Sequence, residues 1–371
     1  MMTLSLTLNN ADVLRPDGMH RGALSIEGGV IVEDSAGRHV DLSGFRVMPG
    51  IVDIHGDGFE RHLAPRRGAM TDLAVGLAST EADLAANGIT TAVLAQFWSW
   101  EGGMRGPAFA KRFLAALAGF RSMGTDMRVQ LRLETHLLAD YPEVEQIVAD
   151  YGIGYVVFND HLPHAALDKG KRPPRLTGQA LKSGRSPEAH LKLLHRLHEQ
   201  GAEVPKALAG LATRLRARGV LLGSHDDQTA TARDTWRAMG VTLSEFPETQ
   251  EAAQAATDAG DPVILGAPNV VRGGSHSGNV SAAALIADGI GDALASDYHY
   301  PALRQAALTL GAWGLVSSGP ARVLGLTDRG ELSPGKRADL VVLDGDGRVG
   351  ATIAGGRVTY LAGEVAARFL A

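Results

Sequence analysis

His55 and Asp57 stand two residues apart in Asp53-Ile54-His55-Gly56-Asp57, so in an extended chain both side chains point to the same side. Further along, Glu134, His161, His225 and Asp297 each close a short apolar run: Leu131-Arg132-Leu133-Glu134, Phe158-Asn159-Asp160-His161, Gly223-Ser224-His225 and Ala295-Ser296-Asp297. Histidines with carboxylates are ligands for first-row divalent metals, suited to zinc, iron or manganese. A site for two ions needs a bridging anion, and no lysine closes any of these runs, which leaves Glu134 as the bridge. Asp57, Glu134, Asp297 and a hydroxide balance the charge of two divalent cations, so such a cluster can be buried. The expected arrangement is one ion on His55, Asp57 and Glu134 and the other on Glu134, His161 and His225. Asp297 touches one ion and serves as general base toward the attacking water. Each residue alone has an ordinary reading. A single histidine there caps a loop, Asp297 starts a helix, and Glu134 pairs with Arg132 or Arg128. The joint pattern points to metal.

A second cluster runs from Gly266 to Asn279, Gly-Ala-Pro-Asn-Val-Val-Arg-Gly-Gly-Ser-His-Ser-Gly-Asn. Its glycines let backbone N–H groups converge on an anion, and Arg272 adds a fork for phosphate oxygens. Arg61, His62, Arg66 and Arg67 form a further basic segment, as do Lys169, Lys171, Arg172 and Arg175. From these we expect Arg66, Asn269, Arg272 and His276 to bind a small phosphorylated substrate. His20, His39, His190, His195 and His198 read as surface, while His62, His136, His164, His276 and His299 fall near the strand-end rim with either role open to them.

What must position these groups is a set of short strands alternating with helical stretches. Eight candidate strands span 51–55, 89–95, 127–135, 153–160, 220–225, 241–246, 262–267 and 293–297. Helical periodicity lies between them, as in Leu208, Leu211, Ala212 and Leu215. This is the pattern of a (β/α)8 TIM-type barrel, whose catalytic groups project from the C-terminal ends of several strands. No Gly-x-Gly-x-x-Gly follows the first strand, which argues against an open dinucleotide-binding sheet. Both chain ends are β-rich: Leu4, Leu6 and Leu8 alternate with polar residues, Gly28-Gly29 closes a hairpin, and strands separated by glycine turns fill the tail to its last short segment. The expected organisation is thus 1–48 and 330–371 as two parts of a small β-sandwich, with 49–329 as the barrel. Residues 161–187 show little periodicity and read as a long loop of the kind that forms a lid or binding segment.

Composition sets limits. The chain has 371 residues, a net charge of −5 and no cysteine, which excludes thiol catalysis, disulfides and iron–sulfur clusters. No global basic field exists for nucleic acid, and aromatics at 5% are poor material for base stacking. No apolar run reaches the roughly 18 residues of a membrane span, and no signal peptide is visible, so a cytoplasmic protein is expected. Oligomeric state is left open, a homo-oligomer included.

Met48-Pro49-Gly50-Ile51-Val52-Asp53-Ile54-His55 and Gly330-Glu331-Leu332-Ser333-Pro334-Gly335-Lys336-Arg337-Ala338-Asp339-Leu340-Val341 resemble the entry and exit signatures of the amidohydrolase superfamily. The resemblance implies a metal-dependent barrel with a small β-sandwich. His55-Gly56-Asp57 replaces the usual His-x-His, and with Ser224-His225-Asp226-Asp227, Ser244-Glu245-Phe246-Pro247, Gly266-Ala267-Pro268-Asn269 and Ser296-Asp297-Tyr298 it resembles the PhnM branch. That resemblance implies a diphosphatase of phosphonate metabolism, which hydrolyses a sugar-phosphonate triphosphate to the 5-phosphate and pyrophosphate. Gly56 and Gly58 depart from the branch, where Thr and Asn stand. Two other readings remain: hydrolysis of a carbon–nitrogen bond (deacetylase, deaminase or cyclic amidase), and a non-catalytic binding subunit of a phosphonate-processing complex.

Overall fold

The computed structural model describes residues 3–66, 72–275 and 278–371. Two compact units divide the chain: Met1–Leu94 with Phe120–Arg128 and Ile264–Ala371, and Ala95–Gly119 with Val129–Val263.

In the first unit the two chain ends build one sheet. Its strands are β1 (Leu6–Arg15), β2 (Gly18–Glu27), β3 (Val30–Val32), β4 (Arg38–Asp41) and β5 (Arg46–Pro49). The tail supplies β14 (Leu340–Leu343), β15 (Val349–Ala354) and β16 (Arg357–Leu361), in the order β16-β15-β14-β5-β1-β2-β3 with β4 against β1. A bulge between Leu8 and Ala11, with Asn10 at φ 58°, resets the alternation. Leu6 and Leu8 before it and Ala11 and Val13 after it therefore all reach one core, with Leu24, Ile26, Leu340 and Ile353. Gly28 and Gly29, at φ 61° and 89°, make the turn between β2 and β3 that only a left-handed pair allows. The last short segment is a helix, Gly363–Leu370, and not the expected strand. Val365 and Phe369, one helical turn apart, pack into that core, which a strand would leave on opposite faces.

The middle of the chain supplies β6 (Ile51–Gly56), β7 (Ile89–Trp98), β8 (Asp126–Glu134), β9 (Tyr155–Asn159), β10 (Leu221–His225), β11 (Leu243–Glu245), β12 (Val263–Gly266) and β13 (Ala293–Ala295). They follow one another in chain order as an eight-stranded parallel sheet, the (β/α)8 arrangement. In the first unit β6 pairs with β7 and β12 with β13, and a bridge between Gly56 and Asp297 joins last strand to first. In the second unit β8, β9, β10 and β11 pair in turn. Leu131, Leu133, Val156, Phe158 and Leu222 bury against the helix Val204–Ala217 through Leu208, Leu211 and Leu215. Alternation then leaves Gln130, Arg132 and Glu134 on the opposite face of β8.

Segment 161–187 is not a structureless loop. It carries the short helices His164–Leu167 and Leu176–Lys182, whose Leu167 and Leu176 bury with Trp100, Leu162, Leu194 and Leu197. His190 is not a surface residue either. It is fully buried, its ring centroid 5.8 Å from that of Trp100.

Candidate metal centre and its surroundings

Parallel register fixes which residues share a level at the C-terminal ends of the second unit's strands. Glu134 pairs with Asn159, Ser224 with Phe158, and His225 with Glu245. Glu134, Asn159, His225 and Glu245 therefore form one row. Just past three strand ends stand non-glycine residues in the left-handed region: Asp226 at φ 60°, Phe246 at φ 51° and Asp297 at φ 55°. Aspartate tolerates this conformation, but for phenylalanine it is strained, and strain of this kind collects at functional sites.

Glu134 is fully buried. Its Oε2 accepts from Trp100 Nε1 at 3.1 Å and from the His161 backbone N–H at 3.1 Å, and its Oε1 faces His161 Nδ1 at 2.5 Å. Burial pushes the Glu134 carboxyl up, but the His161 and Trp100 hydrogen bonds outweigh it and hold the group below its ordinary range. Burial likewise works against the His161 imidazolium, and Glu134 reverses that and raises it. Glu134 is not the ion-pair partner of Arg132 or Arg128: Arg128 goes to Asp126, and Arg132 to Asn159 and His225.

Around His225 the two ring nitrogens are distinguishable. Nδ1 lies 2.9 Å from Asp226 Oδ2, which can only accept, and Nε2 lies 2.9 Å from Arg132 Nη2, which can only donate. The ring is thus neutral with its lone pair on Nε2, consistent with burial pushing His225 down. Donor atoms of His161, His225 and Asp226 lie within 4.8 Å of one another. Two imidazoles and a carboxylate at that spacing fit a first-row divalent ion.

In the first unit, backbone contacts bring His55, Asp57 and Asp297 together. Asp297 N donates to His55 O at 3.0 Å, and Asp57 N donates to Asp297 O at 2.7 Å. His55 is fully buried, while Asp57 and Asp297 are half-buried. Asp53 locks this corner, accepting from Ser296 N at 3.0 Å and Ser296 Oγ at 2.6 Å. The two departures from the sequence pattern have a packing cause here. A Cβ on Gly56 would stand 2.6 Å from Asp53 Oδ2, and one on Gly58 would stand 3.2 Å from Tyr300 Cζ.

Of the expected substrate contacts, Arg66 and Arg272 are exposed, and Arg272 ends the helix Ala267–Arg272. Asn269 holds its own loop, donating to Val280 O at 3.3 Å and accepting from Ala282 N at 3.0 Å. His276 and Arg67 lie outside the described residues. The basic segment at Arg61 and His62 is not a free anion site, because both side chains pair with Asp83, at 2.7 and 3.0 Å. Sequence reasoning did not single out Asp226, Glu245 or Arg132 as site residues. Glu245 is fully buried and accepts from Gln130 Nε2 at 2.5 Å and from the Tyr155 hydroxyl. The signal for Arg132 was available in the alternation Gln130-x-Arg132-x-Glu134.

No profile of a known protein family matches the chain. Among curated proteins it is 31% identical over 364 residues to the alpha-D-ribose 1-methylphosphonate 5-triphosphate diphosphatase of Escherichia coli K12, covering 91% of this chain and 94% of that one. Among solved structures it resembles a triazine hydrolase variant at TM-score 0.62 and 14% identity, covering 96% of this chain and 94% of the other. It also resembles an N-acetylglucosamine-6-phosphate deacetylase from Pasteurella multocida at TM-score 0.61 and 12% identity, with 96% and 99% covered. An adenosine deaminase from Xanthomonas campestris with bound zinc follows at TM-score 0.54 and 15% identity, with 96% and 93% covered.

Proposed function

The chain belongs to the alpha-D-ribose 1-methylphosphonate 5-triphosphate diphosphatase family within the amidohydrolase superfamily, and on that premise we propose that it cleaves that triphosphate to the 5-phosphate and pyrophosphate. It is a hydrolase. The observation that carries the reading is the convergence of His161, His225 and Asp226 within 4.8 Å, beside a buried Glu134. Those four residues would hold one divalent ion and His55 with Asp57 another, and when bound the metal supplies Lewis acidity and an acidified water. Asp297 takes the proton of the attacking water as a carboxylate, its backbone fixed in the left-handed turn by the His55 and Asp57 bonds. Arg132, which donates to both His225 Nε2 and Asn159 Oδ1, would release that nitrogen to the ion while Asn159 keeps the guanidinium in place. Arg66 and Arg272 meet the outer phosphates, where a guanidinium can bond two oxygens at once.

The test is a substrate panel on zinc- or manganese-loaded protein: the triphosphate, N-acyl amino sugars and cyclic amides. The proposal expects pyrophosphate from the first and no turnover of the others. Turnover of an amide with none of the triphosphate would replace it with carbon–nitrogen hydrolysis.

A further inference from the structure

A second group of histidines and acids lies in the second unit, outside the residues used above. His136, fully on the buried side, follows β8; Asp160 follows β9; His164 opens the helix His164–Leu167, and Asp168 closes it. His198 reaches the group from the helix Pro187–Glu199 and is half-buried, not a solvated surface residue as its surroundings in the sequence suggest. Donor atoms of His136, Asp160 and His164 lie within 4.8 Å of one another.

The proton positions follow from the partners. Asp168 Oδ1 lies 3.0 Å from His198 Nε2, so that nitrogen carries a proton. A neutral His198 then has its lone pair on Nδ1, which lies 2.8 Å from His164 Nδ1. The latter must therefore donate, which puts the lone pair of His164 on Nε2. Yet Nε2 lies 3.0 and 3.1 Å from the two oxygens of Asp160, acceptor facing acceptor. His136 joins them, its Nδ1 3.5 Å from Asp160 Oδ1 and 3.3 Å from Thr135 Oγ1 and its ring 4.9 Å from that of His164. The His164 and Asp160 acceptors, with the His136 ring beside them, converge on a point that a cation would fill. A proton on His164 would answer only the Asp160 contact and would set an imidazolium against the His136 ring. A metal ion answers all three at once.

We propose that His136, Asp160 and His164 bind a divalent transition-metal ion of the zinc type, at a site separate from the reaction centre. His198 and Asp168 form the relay behind it: the ligating imidazole passes its other N–H to a second imidazole, which passes its own to a carboxylate, and this fixes tautomer and ring orientation. At bonds of about 2.0–2.1 Å, tetrahedral ligand atoms lie about 3.3 Å apart, close to the separations already present. The ion has a positional role. It pins the segment carrying Asp160, His164 and Asp168 to the end of β8 and, through His198, to the helix Pro187–Glu199. His136 lies two residues past Glu134 and Asp160 directly precedes His161, so the same staple steadies two residues of the reaction centre.

The site is tested with full-length protein stripped by chelator and titrated with zinc against a chromophoric chelator. The parent takes up one more equivalent than His164→Ala. Asp160→Asn, nearly isosteric and so insensitive to a folding failure of the first variant, loses the same equivalent. His198→Ala keeps it with an affinity weakened by about 10–100-fold. His225→Ala, which disturbs the reaction centre instead, retains this equivalent, so failure of the proposed function and failure of this site are read separately. Equal zinc stoichiometry and affinity in the parent, His164→Ala and Asp160→Asn would overturn the proposal.

Discussion

Two buried charge clusters in the second unit use nearly the same residue types and do opposite things. Around Arg233, the guanidinium donates to Asp227 Oδ2 at 3.1 Å, Asp261 Oδ2 at 2.9 Å, Ser224 Oγ at 2.5 Å and Val241 O at 3.3 Å. Ser224 and Ser244 hydroxyls complete Asp227 at 2.6 and 3.1 Å. Two acids thus share the permanent Arg233 cation, and Arg237 reaches Asp261 Oδ1 as well, at 3.4 Å. At the strand ends, Glu134 and Asp226 face the imidazoles His161 and His225, which carry charge only when protonated or metallated. The first cluster carries its own cation; the second is arranged for a cation that comes and goes. A buried carboxylate is therefore informative through its partner: beside an arginine it reads as architecture, beside histidines as a metal site.

The comparison breaks first at Arg233. Arg233→Met leaves Asp227 buried without its cation and Asp261 with Arg237 alone, and should cost about 3–5 kcal/mol in urea denaturation, with turnover per folded molecule unchanged. A loss below about 1 kcal/mol would mean that Arg233 does not hold the cluster as described. Next is Asp297→Asn, which should lower kcat by about 10²-fold or more as loss of a general base does, while the melting curve stays put; a kcat within a factor of a few of the parent would remove the proton-accepting role. His225→Ala should then lose metal from the reaction centre by elemental analysis, and full occupancy would contradict its assignment as a ligand. The smallest effect sharpens the contrast through pH. Glu134 sits below its ordinary 4.5, so its contribution to stability is present above pH 4.5 and is lost as pH falls through the folded value. His161 sits above its ordinary 6.5, so its contribution is full below pH 6.5 and is lost as pH rises through the folded value. Metal-free protein should therefore show both limbs, and zinc should erase the alkaline one by taking the place of the proton on His161. An alkaline limb unchanged by zinc would place the metal elsewhere.

Much of this was legible before any coordinates. Strand ends could be located because each run changes from apolar to ionisable within a residue or two, and Glu134, His161 and His225 follow from that rule alone. What a strand end does not reveal is which of its neighbours turns inward. Asp226 adjoins His225 but is useful only because the backbone enters the left-handed region there, at φ 60°. Glu245 closes a strand of only three residues, too short for alternation to declare itself. The helices within 161–187 escaped because each is short and buries only one or two residues. His190 escaped because it is one of three histidines in the helix Pro187–Glu199, although His190, Leu194 and Leu197 repeat at the spacing of one buried face. The final helix was hidden by its strand-rich surroundings, and only Val365 and Phe369, four apart, mark it.

The most direct test is the fate of oxygen when metal-loaded protein hydrolyses the triphosphate in ¹⁸O-labelled water, followed by ³¹P NMR. The account predicts the 5-phosphate and pyrophosphate in equal amounts, with one solvent oxygen in one of the two products. Stepwise release of orthophosphate, or metal-loaded protein that leaves the triphosphate intact, would contradict the account.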